Sequence, residues 1–215
     1  MLEPNIRRPS KSAVFAAAKS WDAATVEALL KAAPDLVTAA DTKGRTALHL
    51  ACAAKPAGPT PADPNGIATA TILLAAGADL EAAVPMDADD GDFRATPLWY
   101  AVARGENLAL VKFLLSQGAD PSYSLWAAVW RDDDVLCRVL LEHKPRVDLR
   151  AHGETPLFYA ARLQRLKTLA LLIEAGANPA IADPHGRDAV AIARARRLPK
   201  CVVDRLMELK QRFGA

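Results

Sequence analysis

A short motif that occurs three times constrains the fold of this chain more than any other feature. The motif is a Gly-Ala-Asp step, or Gly-Ala-Asn in its last copy, and each copy follows an apolar run that contains a Leu-Leu or Leu-Ile pair. The copies begin at Gly77, Gly118 and Gly176. Such self-similarity is typical of repeat proteins, in which each unit buries its apolar face against the next. The sequence therefore predicts a stack of similar helical units.

A second motif, Thr followed by Ala or Pro and then Leu, lies upstream of each Gly and begins at Thr46, Thr96 and Thr155. A threonine hydroxyl can accept a hydrogen bond from a free amide at a helix start, and proline is tolerated in the first turn. Glycine favours the left-handed conformation that ends many helices. Each unit is thus predicted to begin an inner helix at Thr and to end an outer helix at Gly.

Together the two motifs resemble the ankyrin repeat, whose inner helix starts with Thr-Pro-Leu-His and whose Gly-Ala-Asp step precedes a β-turn finger. The resemblance implies an all-α ankyrin-repeat solenoid, a single domain over residues 12–213 that follows an N-terminal tail at 1–11. The register predicts four repeats between two helical caps. The caps cover 12–40 and 183–213, and the repeats cover 41–84, 85–122, 123–149 and 150–182.

The spacing of the motifs departs from the family's period at three places. A proline-rich insert at residues 55–66 separates the two helices of one repeat and is predicted to be a loop. The finger before Thr96 is overlong and carries the acidic run 86–92, whereas the finger before Tyr123 is nearly absent. The missing finger predicts a notch beside Tyr123, Phe93 and Trp130 that could receive a protruding loop of a partner.

Composition and motif searches argue against several function classes. The net charge of +2 gives no strong field for nucleic acid or an anionic membrane. No apolar stretch is long enough to span a bilayer or to serve as a signal peptide, so a cytoplasmic protein is expected. The three cysteines show no Cys-x-x-Cys spacing, which favours a reducing compartment.

Candidate catalytic or metal-binding residues do not converge in the sequence. No phosphate-binding loop, Gly-x-Ser-x-Gly or His-Glu-x-x-His motif occurs. His49 holds the family's Thr-Pro-Leu-His position, which implies a hydrogen bond to the finger backbone. Cys52, Cys137 and Cys201 are predicted to be buried apolar fillers. We therefore expect no enzyme activity, no cofactor and no metal.

Two charged segments leave alternatives open. The acidic residues between Asp79 and Asp92 lack EF-hand spacing. Counted from Asp87, Gly91 falls one residue before the loop position that requires Gly, and Leu98 falls at the position that requires Glu. They form either a solvated finger or an acidic surface that attracts a basic partner. The basic segment 183–215 is typical of the solvated outer face of a solenoid cap and has no interleaved aromatic stripe for nucleic acid.

Aromatic residues gather in three consecutive repeats and indicate where a partner would bind, because aromatics anchor many interfaces. Trp99, Trp126 and Phe158 share the register of His49 and are predicted to pack between repeats, whereas Trp130 is the strongest candidate anchor. Tyr100 and Tyr159 are expected to be half exposed. The candidate partner-binding residues are Lys43, Arg45, Asp92, Phe93, Tyr100, Arg104, Tyr123, Trp130, Arg131, His152, Glu154, Tyr159 and Arg162.

The resemblance implies a non-catalytic module, a monomer when free, that binds another protein through its fingers and inner helices. A stand-alone chain of this kind is expected to act as a bacterial inhibitor or toxin-immunity protein, with a toxin or an enzyme as its partner. The alternative is a secreted effector or a scaffold that binds a host protein.

Overall fold

The computed structural model describes residues 8–55, 63–85 and 93–213, and divides the chain into two compact units. Unit 1 comprises Met1–Pro85 and Arg94–Ala119, and unit 2 comprises Met86–Phe93 and Asp120–Ala215. Most of the proline-rich insert and the acidic run 86–92 lie outside the described residues. The boundaries of the caps, the repeats and the single domain stay predictions.

Unit 1 is a stack of three helical pairs in its described part. The inner helices α1, α3 and α5 pack side by side, and so do the outer helices α2, α4 and α6. A two-stranded antiparallel hairpin of β1 and β2 pairs Val84 with Ala95. The helices are α1 (Lys11–Lys19), α2 (Ala23–Ala32), α3 (Ala47–Ala53), α4 (Ile67–Ala75), α5 (Pro97–Tyr100) and α6 (Leu108–Ser116); the strands are β1 (Val84–Pro85) and β2 (Arg94–Ala95). A 3₁₀ helix (Pro34–Thr38) follows α2, and α5 continues as a π-helical turn over Ala101–Gly105.

Unit 2 repeats this arrangement. The inner helices α7, α9 and α11 pack in sequence, and the outer helices α8, α10 and α12 form the second layer. The helices are α7 (Ser124–Arg131), α8 (Asp134–Glu142), α9 (Pro156–Leu163), α10 (Leu166–Glu174), α11 (Ala189–Ala195) and α12 (Lys200–Gln211). The all-α fold predicted from the two motifs is confirmed.

Both motifs have the structural roles that the sequence predicts. The hydroxyls of Thr96 and Thr155 accept hydrogen bonds from the backbone amide of the third residue of the inner helix, at 3.3 and 3.2 Å. Gly77, Gly118 and Gly176 all have left-handed φ values, between 76° and 95°. The residue after each Gly donates its amide to a carbonyl five residues earlier, as in a Schellman cap. These caps fix the length of each helical pair.

Lys144 stands where the outer helices α4, α6 and α10 have their terminal Gly, and it adopts a left-handed φ of 53°. A side chain in this conformation costs about 1 kcal/mol, and that of Lys144 is exposed. We expect Lys144→Gly to raise the free energy of unfolding by about 0.5–1 kcal/mol in urea denaturation. Lys144→Ala keeps the strained backbone and should gain nothing, so equal gains in both variants would contradict this account.

His49 is fully buried at the start of α3. Its Nδ1 accepts from the Thr46 amide at 3.1 Å and lies 2.9 Å from the Thr46 hydroxyl. Burial lowers the pKa of His49, and the nearby backbone of Ala95 and Ala82 in the finger partly opposes this shift. The imidazole is thus fixed to Thr46 through Nδ1, while its buried Nε2 has no hydrogen-bond partner in the described residues, so the bond to the finger backbone that its register predicts stays a prediction.

Because the pKa of His49 is lower in the folded than in the unfolded chain, the unfolded state binds more protons once the pH drops below about 6.5. The free energy of unfolding should thus fall between neutral pH and about pH 5, before the carboxylates titrate. His49→Gln retains an acceptor for the Thr46 amide, and its unfolding free energy should fall less steeply. Equal pH slopes, measured by urea denaturation, would contradict the assignment.

The three cysteines divide by accessibility. Cys52 in unit 1 and Cys137 in unit 2 are fully buried, and burial raises both thiol pKa values, that of Cys137 to about 12. The prediction that Cys201 is buried is wrong: it is exposed, because it lies on α12, which packs on α10 and α11 and has no further helix beyond it in the described chain.

Thiol labelling should reflect this division. We expect a thiol-reactive dye to modify Cys201 alone in the native protein, since the dye reacts with exposed thiolate. Cys52 and Cys137 should react only after denaturant is added. Cys201→Ser should leave the native protein unlabelled; rapid labelling of that variant would contradict the buried placement of the other two.

No helix in the described ranges is both long and apolar enough to cross a membrane.

Candidate functional site

The candidate site in unit 2 is built on the inner helices α7 and α9, which pack side by side. Trp126 and Phe158 are each the third residue of their helix, and both are buried, as predicted for residues that pack between repeats. Trp130 lies one helical turn beyond Trp126, and 53% of its surface is exposed. The second tryptophan of α7 thus presents a large apolar surface to solvent.

Phe93 packs against Tyr123, the residue that follows the shortened finger, and against two further rings. Its ring centroid lies 5.7 Å from that of Tyr123, 5.9 Å from that of Trp126 and 5.7 Å from that of His152. Only 7% of Phe93 is exposed, so the prediction that it offers its ring to a partner is wrong. The sequence pattern places Phe93 in a finger but does not show that these three rings cover it.

The finger after α8 holds a charged pair against α9. A backbone bridge between Ala151 and Glu154 closes this finger. The Nε and Nη2 of Arg162 donate to Oε2 of Glu154 at 3.1 and 3.0 Å, and the guanidinium carbon lies 5.0 Å from the centroid of the Tyr159 ring. The ring of Tyr159 in turn lies 5.0 Å from that of Trp126. The pair orients Arg162 beside an aromatic surface before any partner arrives.

Charges of both signs act on the Tyr159 hydroxyl. Burial raises the pKa of Tyr159; Arg162 and Arg165 act to lower it, and Glu154 acts to raise it. The phenol is therefore protonated at neutral pH and can donate a hydrogen bond. Arg165 was not among the residues singled out by sequence, because it stands at the start of an outer helix rather than in a finger or an inner helix.

The predicted site residues of unit 1 differ in accessibility. Lys43 and Arg104 are exposed, whereas Arg45 is partly covered and donates from Nε to Asp41 at 2.8 Å. The expectation that Tyr100 is half exposed is wrong, since 7% of it is accessible. Its ring packs edge-on against those of His49 and Trp99, with centroids 5.5 and 5.2 Å away.

Other predicted residues lie in unit 2 or outside the described chain. His152 is exposed at a finger tip with a left-handed φ of 53°, and its ring stacks on Phe93. Tyr123 and Arg131 are half-buried. Asp92 lies outside the described residues. Unit 2 thus brings together Glu154, Arg162, Tyr159 and Trp126, and the exposed Trp130 lies one helical turn beyond Trp126 on α7.

Comparisons with known proteins agree with the repeat pattern. Residues 98–183 match the family model for ankyrin repeats, which comprises three copies of the repeat. The chain is 31% identical over 133 residues to the human transient receptor potential cation channel subfamily A member 1; this match spans 57% of the chain but 11% of the channel protein.

Two solved structures are similar over nearly the whole chain. An ankyrin repeat domain from Acinetobacter baumannii has a TM-score of 0.67 and 27% identity, with 96% of this chain and 100% of that chain covered. The ankyrin repeat domain of Bcl-3, a member of the IκB protein family, has a TM-score of 0.61 and 24% identity, with 91% of this chain and 97% of that chain covered.

Proposed function

Since this chain carries ankyrin repeats and has the ankyrin-repeat fold, we propose that it is a non-catalytic protein that binds another protein through a surface of unit 2 centred on Trp130. Ankyrin repeats are generally protein–protein interaction modules. We call this surface the Trp130 face and define it by Trp130, Arg131, Tyr159, Arg162 and Glu154. The observation that carries the proposal is the 53% exposure of Trp130 in a helix whose other tryptophan is buried.

The chemistry of the Trp130 face supports this role. Exposed tryptophan and arginine side chains are enriched among the residues that dominate binding energy at protein interfaces. Arg162 is held by Glu154 and by the Tyr159 ring, so little side-chain entropy remains to be lost when a partner binds. A rigid aromatic and arginine surface of this kind favours binding to a complementary protein.

The finer role that we propose is inhibition in the bacterial cytoplasm: the chain, a monomer when free, covers the surface of a toxin or another enzyme, as an immunity protein does. The alternative is an effector or scaffold that binds a host protein without inhibiting it. Both roles use the same face, and they differ in what happens to the partner's activity.

Capture from the native source tests the face and the role in turn. The full chain, Trp130→Ala and Phe213→Ala would be used as baits, since Phe213 is an exposed aromatic (46%) at the other end of unit 2's sequence. We expect one partner to be retained by the full chain and by Phe213→Ala and to be lost from Trp130→Ala. A partner that Trp130→Ala retains equally would contradict the proposed face.

The purified partner's own activity then separates the two roles. Stoichiometric loss of that activity on addition of the chain supports the inhibitor role. Full activity in the saturated complex supports a scaffold or effector role.

A further inference from the structure

A small cavity in unit 1 lies between the turn that joins α1 to α2 and the start of α4. Its volume is about 370 Å³, which is within the range of small-molecule sites. An indole and three small apolar side chains line it together with two carboxylates; these residues are Trp21, Ala23, Ala24, Ala68, Asp22 and Asp63. Among the described residues that line the cavity, none is basic. The charge of its wall is therefore negative.

Asp63 is the buried carboxylate of this cavity, with 5% of its surface exposed. Its Oδ2 accepts from the Thr69 amide at 2.8 Å and so caps α4, because the N-cap residue Gly66 has no side chain. In the described part of the chain, Oδ1 accepts no hydrogen bond and no cation pairs with the carboxylate. A buried charge is unfavourable unless a counter-charge accompanies it. The cap uses one oxygen of Asp63 and leaves its charge uncompensated.

Trp21 provides the aromatic wall beside this carboxylate. Its Nε1 donates to the carbonyl of Ala51 at 2.8 Å, which fixes the orientation of the ring. Gly66 packs against the indole so closely that a β-carbon there would lie 2.6 Å from Cε2 and Nε1 of Trp21. The Gly66 amide in turn donates to the Asp63 carbonyl at 3.2 Å. Gly66 thus holds Asp63 and the indole next to each other.

Asp22, which is exposed to solvent, adds the second carboxylate. Its Oδ1 accepts from the Thr25 amide at 3.0 Å and caps α2. Ammonium and guanidinium groups are attracted to carboxylates and also to the face of an aromatic ring, most strongly to that of tryptophan. The alanine side chains of the wall suit an apolar stem such as that of lysine. An apolar stem that ends in a positive charge matches every part of this lining.

We propose that this cavity binds an organic cation, that is, an ammonium or guanidinium group on an apolar stem. The charged group pairs with Asp63 against the ring of Trp21, and the stem contacts the alanines of the wall. A small alkylamine and a lysine or arginine side chain of another protein both offer this chemistry. The site uses no residue of the Trp130 face.

Titration of the full chain with n-butylammonium chloride, followed by proton–nitrogen correlation NMR, tests the site. We expect saturable shifts of the Trp21 indole N–H and of the Gly66 and Thr69 amides. n-Butanol has the same stem without the charge and should give no saturable shift. Nα-acetyl-lysine N-methylamide distinguishes the two sources: if it binds as tightly as butylammonium, the ligand is a protein side chain, and if only butylammonium binds, the ligand is a small amine.

Asp63→Asn is the variant that isolates the charge. It keeps an oxygen that can accept from the Thr69 amide, so the fold is retained, which thermal unfolding checks. It should raise the dissociation constant for butylammonium about tenfold, because a hydrogen bond to a charged group is stronger than one to a neutral group. Asp35→Asn, the same substitution at an exposed residue outside the cavity, should leave the dissociation constant unchanged.

Three results would overturn the proposal. Full affinity of Asp63→Asn for butylammonium, or saturable binding of n-butanol, would show that the charge of Asp63 does not select the ligand. The same shifts on addition of calcium chloride alone would show a carboxylate pair that attracts any cation. A titration in which neither organic cation gives saturable shifts would show that the cavity is not a binding site.

Discussion

Phe93→Ala is expected to lower the free energy of unfolding by about 3–4 kcal/mol, the usual cost of removing a buried phenylalanine. The ring of Phe93 is 7% exposed and lies within 6 Å, centroid to centroid, of Tyr123, Trp126 and His152. Truncation removes buried apolar surface and leaves a cavity among the rings of Tyr123, Trp126 and His152. Urea denaturation followed by circular dichroism measures the loss.

Phe93→Leu is the matched control, since it keeps most of the apolar volume and loses the edge-to-face ring contacts. Such contacts contribute about 0.5–1.5 kcal/mol beyond area burial, so the leucine variant should lose about 1 kcal/mol. A loss below about 1 kcal/mol in the alanine variant would show that Phe93 does not fill this site.

Gly105→Ala should have a comparably large effect in unit 1. The β-carbon of an alanine at 105 would overlap the carbonyl oxygen of Cys52, a backbone atom that cannot turn aside. The packed α3 and π-helical turn must then separate, and overpacking of this kind costs about 1–3 kcal/mol. We expect a loss at the upper end of that range, because the obstacle is backbone on both sides.

Gly77→Ala separates this clash from the effect of backbone conformation. Gly77 has a left-handed φ of 95° and nothing within 4 Å of an added β-carbon, so alanine there meets strain alone, about 1 kcal/mol. Gly105 needs no left-handed conformation, so its whole loss reports the contact with Cys52. Equal losses in the two variants would contradict the close approach of α3 and the turn after α5.

The features that the sequence predicts well depend on neighbours along the chain. Thr96 and Thr155 cap helices, and Gly118 and Gly176 end them, because the bonding partners lie within five residues. Trp126 and Phe158 are buried because their position in the repeat directs them at the adjacent inner helix, whatever residue stands there.

The features that the sequence misses depend on contacts between distant segments. Phe93 is covered by rings from residues 30 and more positions later, and Tyr100 is covered by His49 of the preceding repeat. Asp132 of the previous helical pair caps α10 through the Thr168 amide, at a helix start where Arg165 offers no acceptor. The repeat pattern assigns each residue a position in its own repeat. It does not reveal how an irregular finger, or a helix cap supplied by the previous helical pair, changes the contacts of that residue.

Hydrogen exchange of the chain in its complex tests the central claim most directly. If the partner covers the Trp130 face, the amides of the second half of α7, of the finger at 151–154 and of α9 should exchange more slowly in the complex, while those of the outer helices α8 and α12 should not change. Protection confined to the outer helices, or to unit 1 alone, would contradict the account.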